Sequence, residues 1–105
     1  MRIVWTGKAR GDLDEIFDHI LQESPRAAVN TLDRIEQIAG YLADHPGMGR
    51  PGRVRDTREL IIPGLPWILP YLTGPETITI LRVIHAAMQW PGDFEDDPDQ
   101  KSGRS

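Results

Sequence analysis

Hydrophobic residues recur at helical spacing along the first part of the chain. One apolar stripe consists of Ala9, Leu13, Ile16, Phe17, Ile20 and Leu21, and a second consists of Ala28, Leu32, Ile35, Ile38, Ala39 and Leu42. These stripes predict two amphipathic helices. Thr6 can cap the first helix, and Ser24-Pro25 starts the second, which is expected to end near Asp44. Because the turn between the helices is short, they should form an antiparallel hairpin.

Segments typical of β-strands precede the helices and fill the second half of the chain. They are residues 2–5, 58–62, 67–73 and 77–86, and a loop rich in proline, glycine and arginine occupies residues 46–57. The last segment is apolar on both sides, as in a central strand. Pro70 cannot donate to a ladder, so we expect an edge or a bulge there. The order β-α-α-β-β-β predicts an α+β domain, with the helical hairpin packed on a small, mainly antiparallel sheet.

Charge is distributed unevenly along the chain. The 105 residues are enough for one domain, and the net charge is −4. Five acids lie within residues 93–99. We therefore predict a folded domain over residues 1–91 and a flexible acidic tail over residues 92–105. The near-neutral body disfavours a basic nucleic-acid binder, although four arginines cluster within residues 50–58.

The composition also excludes several kinds of chemistry. The chain has no cysteine, which excludes a disulfide framework, a thiol nucleophile and thiolate metal sites. The three histidines show no metal-ligand spacing, so we assign no metal and no cofactor. No apolar run approaches the length of a membrane helix, and the N-terminus has no signal-peptide pattern. We expect a cytoplasmic protein without membrane contact.

A series of short strings follows in a definite order and spacing over residues 2–91. They are Trp5 with Ala9, Asp12 and Leu13; His45-Pro46; Gly49-Arg50; Thr57-Arg58-Glu59-Leu60; Pro66-Trp67-Ile68-Leu69 with Tyr71; and Ile80-Leu81-Arg82-Val83-Ile84-His85 with Trp90-Pro91. Taken together, the strings show that the chain resembles the ParE/RelE superfamily of bacterial toxins from toxin–antitoxin pairs. Within that superfamily it resembles the ParE branch more than the RelE branch.

The resemblance implies a small single-domain toxin that is neutralised by a tightly bound antitoxin encoded beside it. For the ParE branch, it implies a ParD-like ribbon-helix-helix antitoxin and DNA gyrase as the target, with DNA contacted only indirectly through the antitoxin. For the RelE branch, it implies ribosome-dependent cleavage of messenger RNA. An interaction module that has lost its toxicity is a third interpretation.

Two positions bear on the choice between these branches. Where RelE-like members carry an arginine on the third strand and another just past the last strand, this chain has Ile68 and Met88. Apolar side chains cannot stabilise a phosphorane or transfer a proton. Unless Arg58, Arg82 and His85 replace the missing groups, the resemblance implies a non-enzymatic gyrase inhibitor without catalytic residues.

The candidate residues for binding the antitoxin or the target form three groups. They are the arginines Arg50, Arg53, Arg55 and Arg58; the apolar and aromatic residues Trp67, Leu69, Tyr71 and Trp90; and the last-strand residues Arg82 and His85. Strand alternation gives the segment from Trp67 to Leu72 two apolar faces. One face must cover the helices, so we expect the other to be a partner site.

Each group also has a structural interpretation. Arginine-rich loops are often simply solvated, although guanidinium groups suit the carboxylates of an acidic antitoxin segment. Arg82 lies in an apolar strand, so we expect it to be paired, with Glu59 as the candidate partner. His85 should either satisfy a backbone or carboxylate group at the sheet edge or contact a partner.

Overall fold

The structure, a computed structural model, describes residues 1–88 and residue 90. The elements are β1 (Arg2–Trp5), α1 (Gly7–Leu21), α2 (Pro25–Gly40), a 3₁₀ turn (Tyr41–Ala43), β2 (Arg50–Pro51), β3 (Arg58–Ile61), β4 (Trp67–Thr73), β5 (Thr77–Ile80) and β6 (Ile84–His85). The predicted α+β class with a helical hairpin is confirmed. The domain boundary predicted at residue 91 and the acidic tail predicted for residues 92–105 lie outside the described residues. Within the described part, neither helix has the length and apolar character needed to cross a membrane.

Both helices begin at the residues that the capping pattern predicts. The Thr6 hydroxyl oxygen accepts a hydrogen bond from the Ala9 N–H at 3.1 Å, and the Ser24 hydroxyl oxygen accepts one from the Ala27 N–H at 3.1 Å. These bonds satisfy backbone donors that a helix start leaves without a partner. Helix α2 is followed directly by the 3₁₀ turn, which brings helical structure close to the predicted end near Asp44.

The strands form a mixed sheet in the order β1-β5-β4-β3-β2, with β6 also paired to β4. Strand β1 runs parallel to β5, whereas the pairs β2–β3, β3–β4, β4–β5 and β4–β6 are antiparallel. The parallel pair arises because the helical hairpin carries the chain from one edge of the sheet to the other. Residues 50–51 form strand β2 although the local sequence, rich in proline, glycine and arginine, predicts a loop there.

The long last strand predicted for residues 77–86 is divided into β5 and β6. The interruption lies opposite Pro70, whose C=O accepts a hydrogen bond from the Leu81 N–H at 2.9 Å. Of the edge or bulge expected at Pro70, the edge is wrong, because β4 lies inside the sheet. The ladder is irregular there as in a bulge, since residues 69–70 of β4 face three residues, 81–83, between the pairs Ile68–Ile84 and Tyr71–Ile80. The sheet instead accommodates the missing N–H of the proline by interrupting the facing strand. Residues 81–83 thereby leave the ladder.

Each face of the sheet carries a cluster of buried side chains. On the face toward the helices, the sheet residues Leu60, Ile62, Leu69, Tyr71, Ile78 and Ile80 pack with the helix residues Ala9, Leu13, Ile16, Ile35 and Ala39. On the opposite face, Leu81 and Ile84 pack with Val54, Leu72 and Trp90. The prediction that one apolar face of β4 is left for a partner is therefore wrong, because the chain covers that face with its own loop and with Trp90.

Candidate functional site

A groove lies between helix α1 and the end of the sheet where β6 pairs with β4. Its cavity has a volume of about 430 Å³. The lining residues are Asp12, Glu15, Ile16, His19 and Ile20 from α1, and Trp67, Arg82, Val83, Ile84, His85 and Met88 from the sheet side. The helical residues share one face because they are spaced three or four positions apart. The groove thus combines apolar side chains with carboxylate, guanidinium and imidazole groups.

Asp12 and Arg82 form a bidentate ion pair in the wall of this groove. Arg82 Nε donates to Asp12 Oδ2 at 2.8 Å, and Arg82 Nη2 donates to Oδ1 at 3.1 Å. The Val83 N–H also donates to Oδ2, at 2.9 Å. The prediction that Arg82 is paired is confirmed, but the predicted partner, Glu59, is wrong. Arg82 reaches α1 instead, because residues 81–83 leave the sheet ladder.

Trp67 and His85 meet across the β4–β6 pair, where they are direct partners in the ladder. Their rings form an edge-to-face contact, with centroids 5.1 Å apart and planes at 87°. His85 Nδ1 accepts a hydrogen bond from the Ala87 N–H at 3.0 Å, which places the proton of the neutral ring on Nε2. The expected backbone contact of His85 is therefore confirmed. Across residues 1–88 and 90, no group of three or more histidine or acidic side chains is arranged to hold a metal ion.

A second cluster is built around Glu59, on the sheet face opposite the helices. The Glu59 side chain is 2% exposed. Its carboxylate accepts hydrogen bonds from Arg50 Nε at 3.1 Å and Arg50 Nη2 at 2.9 Å. Arg53 donates to the same carboxylate from its backbone N–H at 2.8 Å and from its Nε at 3.1 Å. Strand β2 makes this arrangement possible, because it pairs Arg50 directly with Glu59.

Glu59 is held in its ionised form despite its burial. Burial by itself would raise the pKa of the carboxyl group, but hydrogen bonds from Arg53 and Arg50 outweigh it and hold the pKa below its usual value. A lowered pKa in the folded state means that ionised Glu59 stabilises the fold above the unfolded-state pKa of about 4.3. That contribution is lost as the pH falls through the lower, folded-state pKa.

We expect Glu59→Gln to lower the free energy of unfolding near neutral pH by about 2–3 kcal/mol, because hydrogen bonds to charged groups each contribute about 1.5–3 kcal/mol. The substitution should also weaken the loss of stability in acid, since position 59 no longer titrates. Urea denaturation of both proteins from neutral to acidic pH measures this. Glu36→Gln, on the exposed side of α2, is the matched control. If Glu59→Gln lost stability in acid as steeply as the unsubstituted protein, the assigned role of the carboxylate would be wrong.

The two remaining arginines of the loop have different surroundings. Arg58 Nη1 donates to the Gly49 C=O at 2.7 Å, so this side chain ties β3 to the preceding loop. Arg55 is 95% exposed, and its closest ion-pair contact, to Asp56, is 3.9 Å long. Arg58 is therefore part of the loop structure, whereas Arg55 extends into solvent.

Leu69 and Tyr71 are fully buried, so the prediction that they are surface contacts is wrong. The Tyr71 hydroxyl accepts a hydrogen bond from the Gly49 N–H at 2.9 Å and donates one to the Pro46 C=O at 2.8 Å. Burial raises the pKa of Tyr71, although the Gly49 hydrogen bond and the charge of Arg58 oppose that shift. Tyr71 therefore anchors the loop before β2.

Trp90 packs against Arg53 and Val54 of the arginine-bearing segment at residues 50–58, which we call the arginine loop, and lies away from Trp67. The Cζ atom of Arg53 is 3.8 Å from the centroid of the Trp90 ring, which is a cation–π contact. The indole Nε1 is buried, and no hydrogen-bond partner is found for it in the described structure. The Arg53 guanidinium is thus held by Glu59 and by an aromatic face.

The predicted site residues consequently fall on two separate surfaces. Trp67, Arg82 and His85 line the groove, and Arg50, Arg53 and Trp90 lie together on the sheet face opposite the helices. Sequence reasoning missed Asp12 as the partner of Arg82. The available signal was a carboxylate flanking the apolar stripe of the first helix, directly beside Leu13.

Comparisons with known proteins agree with this architecture. Residues 3–90 match the family model for the ParE toxin of the type II toxin–antitoxin system parDE. The chain is 43% identical over 90 residues to the protein Y4kP of Sinorhizobium fredii, with 86% of this chain and 93% of that protein covered. It is 34% identical over 86 residues to toxin RelE2 of Caulobacter vibrioides (82% and 96% covered) and 30% identical over 94 residues to toxin ParE3 of the same organism (83% and 88% covered). A solved chain from the chromosomal ParDE toxin–antitoxin system of P. aeruginosa superposes with a TM-score of 0.73 at 32% identity, with 81% of this chain and 95% of that chain covered.

Proposed function

The chain belongs to the ParE family of toxins from type II toxin–antitoxin systems, and from this premise we propose that it inhibits DNA gyrase and is neutralised by a ParD-like antitoxin that binds it directly. A type II toxin is held inactive by a partner protein, so the fold must offer that partner a surface. The choice of gyrase as the target rests on a separate feature, the apolar side chains at positions 68 and 88.

The groove supports direct binding of an antitoxin. Met88 at its edge is 62% exposed, and Ile20 and Trp67 are half-buried, so apolar surface remains open to solvent. An amphipathic helix binds such a groove by inserting apolar side chains spaced three or four residues apart. We assign the groove to an apolar helical segment of the antitoxin, with exposed arginines of the loop contacting its acidic residues.

We expect Met88→Glu to weaken antitoxin binding by at least about tenfold, which corresponds to roughly 1.4 kcal/mol. The new charge would have to be desolvated in the groove, whereas the free toxin can leave it in water. Binding to the antitoxin encoded by the neighbouring reading frame, measured by calorimetry, tests this. Val29→Glu on α2, at a residue that is 48% exposed and outside the groove, is the matched control. Equal affinities for both variants would exclude the groove as the antitoxin site.

The absence of RNA-cleaving groups at two positions supports gyrase as the target. Ile68 is 6% exposed within β4, and neither Ile68 nor Met88 can transfer a proton or stabilise a phosphorane. Nearby, Arg82 is already bound by Asp12, and His85 Nδ1 accepts a backbone hydrogen bond. Arg58, the third group that could replace the missing arginines, donates to the Gly49 C=O, so all three candidates already make contacts within the fold. This arrangement favours a toxin that acts by binding a protein.

Ribosome-dependent cleavage of messenger RNA is the competing function. Two relatives in Caulobacter vibrioides carry the name RelE, and the groove places an imidazole, His85, in the same lining as Arg82. If this function were correct, catalysis would have to depend on those two side chains.

Expression of the toxin in cells that carry a DNA-damage reporter, with parallel mapping of message ends, separates the two functions. We expect induction of the damage response with intact messages, because a poisoned gyrase leaves DNA breaks. Cleavage at ribosomal A-site codons that disappears in His85→Ala would contradict the proposal and establish the RelE-like function. Growth arrest with neither response would point to another target, and the absence of any growth effect would point to a toxin that has lost its activity.

A further inference from the structure

The groove between helix α1 and the β6 end of the sheet carries an uncompensated negative charge. The lining residues that can be charged are Asp12, Glu15, His19, Arg82 and His85. Asp12 and Arg82 compensate each other through their bidentate pair, in which Nε and Oδ2 are 2.8 Å apart. With the histidines counted as neutral at pH 7, the lining keeps one net negative charge, on Glu15.

Glu15 is placed for contact with another molecule. It is exposed, and across residues 1–88 and 90 its carboxylate has neither a hydrogen bond nor an ion pair. Glu15 and His19 are four positions apart, so they lie above one another on the exposed side of α1 along the groove. Ile16 and Ile20 follow them in sequence and are buried and half-buried. The carboxylate therefore stands beside the apolar surface of the groove.

The chemistry of this carboxylate restricts what can cover it. An ionised carboxylate only accepts hydrogen bonds, so a bound partner has to supply a donor. A positively charged donor binds it more strongly than a neutral one, because the hydrogen bond is then charge-assisted. An apolar group would desolvate Glu15 without replacing its water, and an anionic group would add repulsion. The groove is consequently suited to a ligand that is both apolar and cationic.

We infer that the segment bound in the groove is an amphipathic helix that carries a lysine or arginine beside its apolar stripe, and that this cation pairs with Glu15. The inference rests on the proposed function, since it takes the antitoxin as the occupant of the groove. Glu15 and Ile16 are adjacent on α1, so the cation should lie within one helical turn of an apolar side chain that contacts Ile16 or Ile20.

The pairing makes Glu15 a residue that selects among antitoxins. An antitoxin with an acidic residue at the pairing position would bring two carboxylates together where water is excluded, and such like-charge contacts suppress wrong partners. The two contact surfaces of this chain then require opposite charges. The groove takes a basic apolar segment of the antitoxin, whereas the arginine loop takes an acidic one.

Charge substitution at position 15 tests the inference, with the affinity for the antitoxin encoded by the neighbouring reading frame as the measurement. We expect Glu15→Gln to weaken binding by about three- to tenfold, between the effects of exposed and of buried ion pairs, and Glu15→Lys to weaken it further. The difference between the parent protein and Glu15→Gln should shrink at about 1 M salt, where charges are screened. Asp14→Asn removes an exposed carboxylate of the same helix outside the groove lining, and this control should bind like the parent protein.

A charge exchange identifies the partner residue. Each lysine and arginine of the antitoxin is replaced by glutamate in turn, and each variant is tested against the parent toxin and against Glu15→Lys. One antitoxin variant should bind Glu15→Lys at least about tenfold more tightly than it binds the parent toxin, because the exchange restores an ion pair of reversed polarity. If no antitoxin variant shows this preference, Glu15 has no cationic partner and the inference is wrong.

The outcomes separate this inference from the function on which it rests. If Met88→Glu weakens binding while Glu15→Gln binds as well as Asp14→Asn, the groove remains the antitoxin site, but the role assigned to Glu15 is wrong. Tighter binding by Glu15→Gln than by the parent protein would also overturn that role. If neither Met88→Glu nor Glu15→Gln changes the affinity, the antitoxin does not occupy the groove and both proposals fail. Melting temperatures equal to that of the parent protein would show that the changes in affinity do not come from a loss of fold.

Discussion

Gly49→Ala should strongly destabilise the protein, because the added methyl group would overlap two neighbours that are fixed in the fold. A Cβ atom at this position would lie 2.7 Å from both Cε1 and Oη of Tyr71 and 2.8 Å from the backbone oxygen of Glu59. Neither neighbour can move away easily, because Tyr71 is fully buried and the Glu59 oxygen belongs to a strand. The methyl group would also push apart the Gly49 N–H and the Tyr71 hydroxyl, which are hydrogen-bonded at 2.9 Å. We expect a loss of about 3 kcal/mol, at the upper end of typical overpacking costs.

The neighbouring glycine at position 47 supplies the control. A Cβ atom there meets nothing within 4 Å, so Gly47→Ala should stay within about 0.5 kcal/mol of the parent protein. Thermal unfolding by circular dichroism measures both variants. A difference of about 3 kcal/mol in a domain of this size corresponds to a fall in melting temperature of more than about 10 °C. Equal melting temperatures would show that the loop before β2 can rearrange away from Tyr71.

Asp12→Ala, in the wall of the groove, should lower the free energy of unfolding by a similar amount. It removes both hydrogen bonds to Arg82 and the acceptor for the Val83 N–H, which together tie helix α1 to the segment between β5 and β6. Breaking a buried ion pair costs about 3–5 kcal/mol, and we expect about 3 kcal/mol here, because Arg82 retains 28% of its side-chain exposure and can be partly hydrated.

Asp14→Ala is the matched control for this prediction, because it removes an exposed carboxylate from the same helix two residues away. It should change the unfolding free energy by less than about 0.5 kcal/mol. Urea denaturation of the two variants near neutral pH gives the comparison. If Asp12→Ala were no less stable than Asp14→Ala, the carboxylate would not be what holds α1 against residues 81–83.

The two clusters serve different purposes around the same sheet. The Asp12–Arg82 pair closes the wall of the groove, so it sets the shape of the surface that we assign to the antitoxin. The Glu59 cluster instead fixes the base of the arginine loop on the opposite face. Because the sheet separates them, a variant in one cluster should leave the binding properties of the other unchanged.

The amino-acid sequence by itself determined both helices, most of the strands and the fold class. Capping residues placed both helix starts, because the bonds from Thr6 and Ser24 are local and need no tertiary partner. Apolar periodicity predicted the amphipathic helices, and strand propensity predicted most of the sheet. The same reasoning identified Arg82 as a charge that had to be paired, since an isolated charge in an apolar strand is costly.

The tertiary structure alone decided which partners these residues find. Arg82 pairs with Asp12, 70 positions away, because Pro70 interrupts the facing strand and releases residues 81–83 toward α1. The two-residue strand β2 forms because Glu59 binds Arg50 and Arg53 there. Local strand propensity takes no account of such a contact, so it does not predict β2. Burial of Leu69 and Tyr71 also depends on which face of β4 meets the helices, and strand alternation leaves that choice open when both faces are apolar. The spacing of apolar residues along the chain identifies helices and strands. The ion pairs, and the face of β4 that packs against the helices, depend instead on contacts between residues that are distant in the sequence.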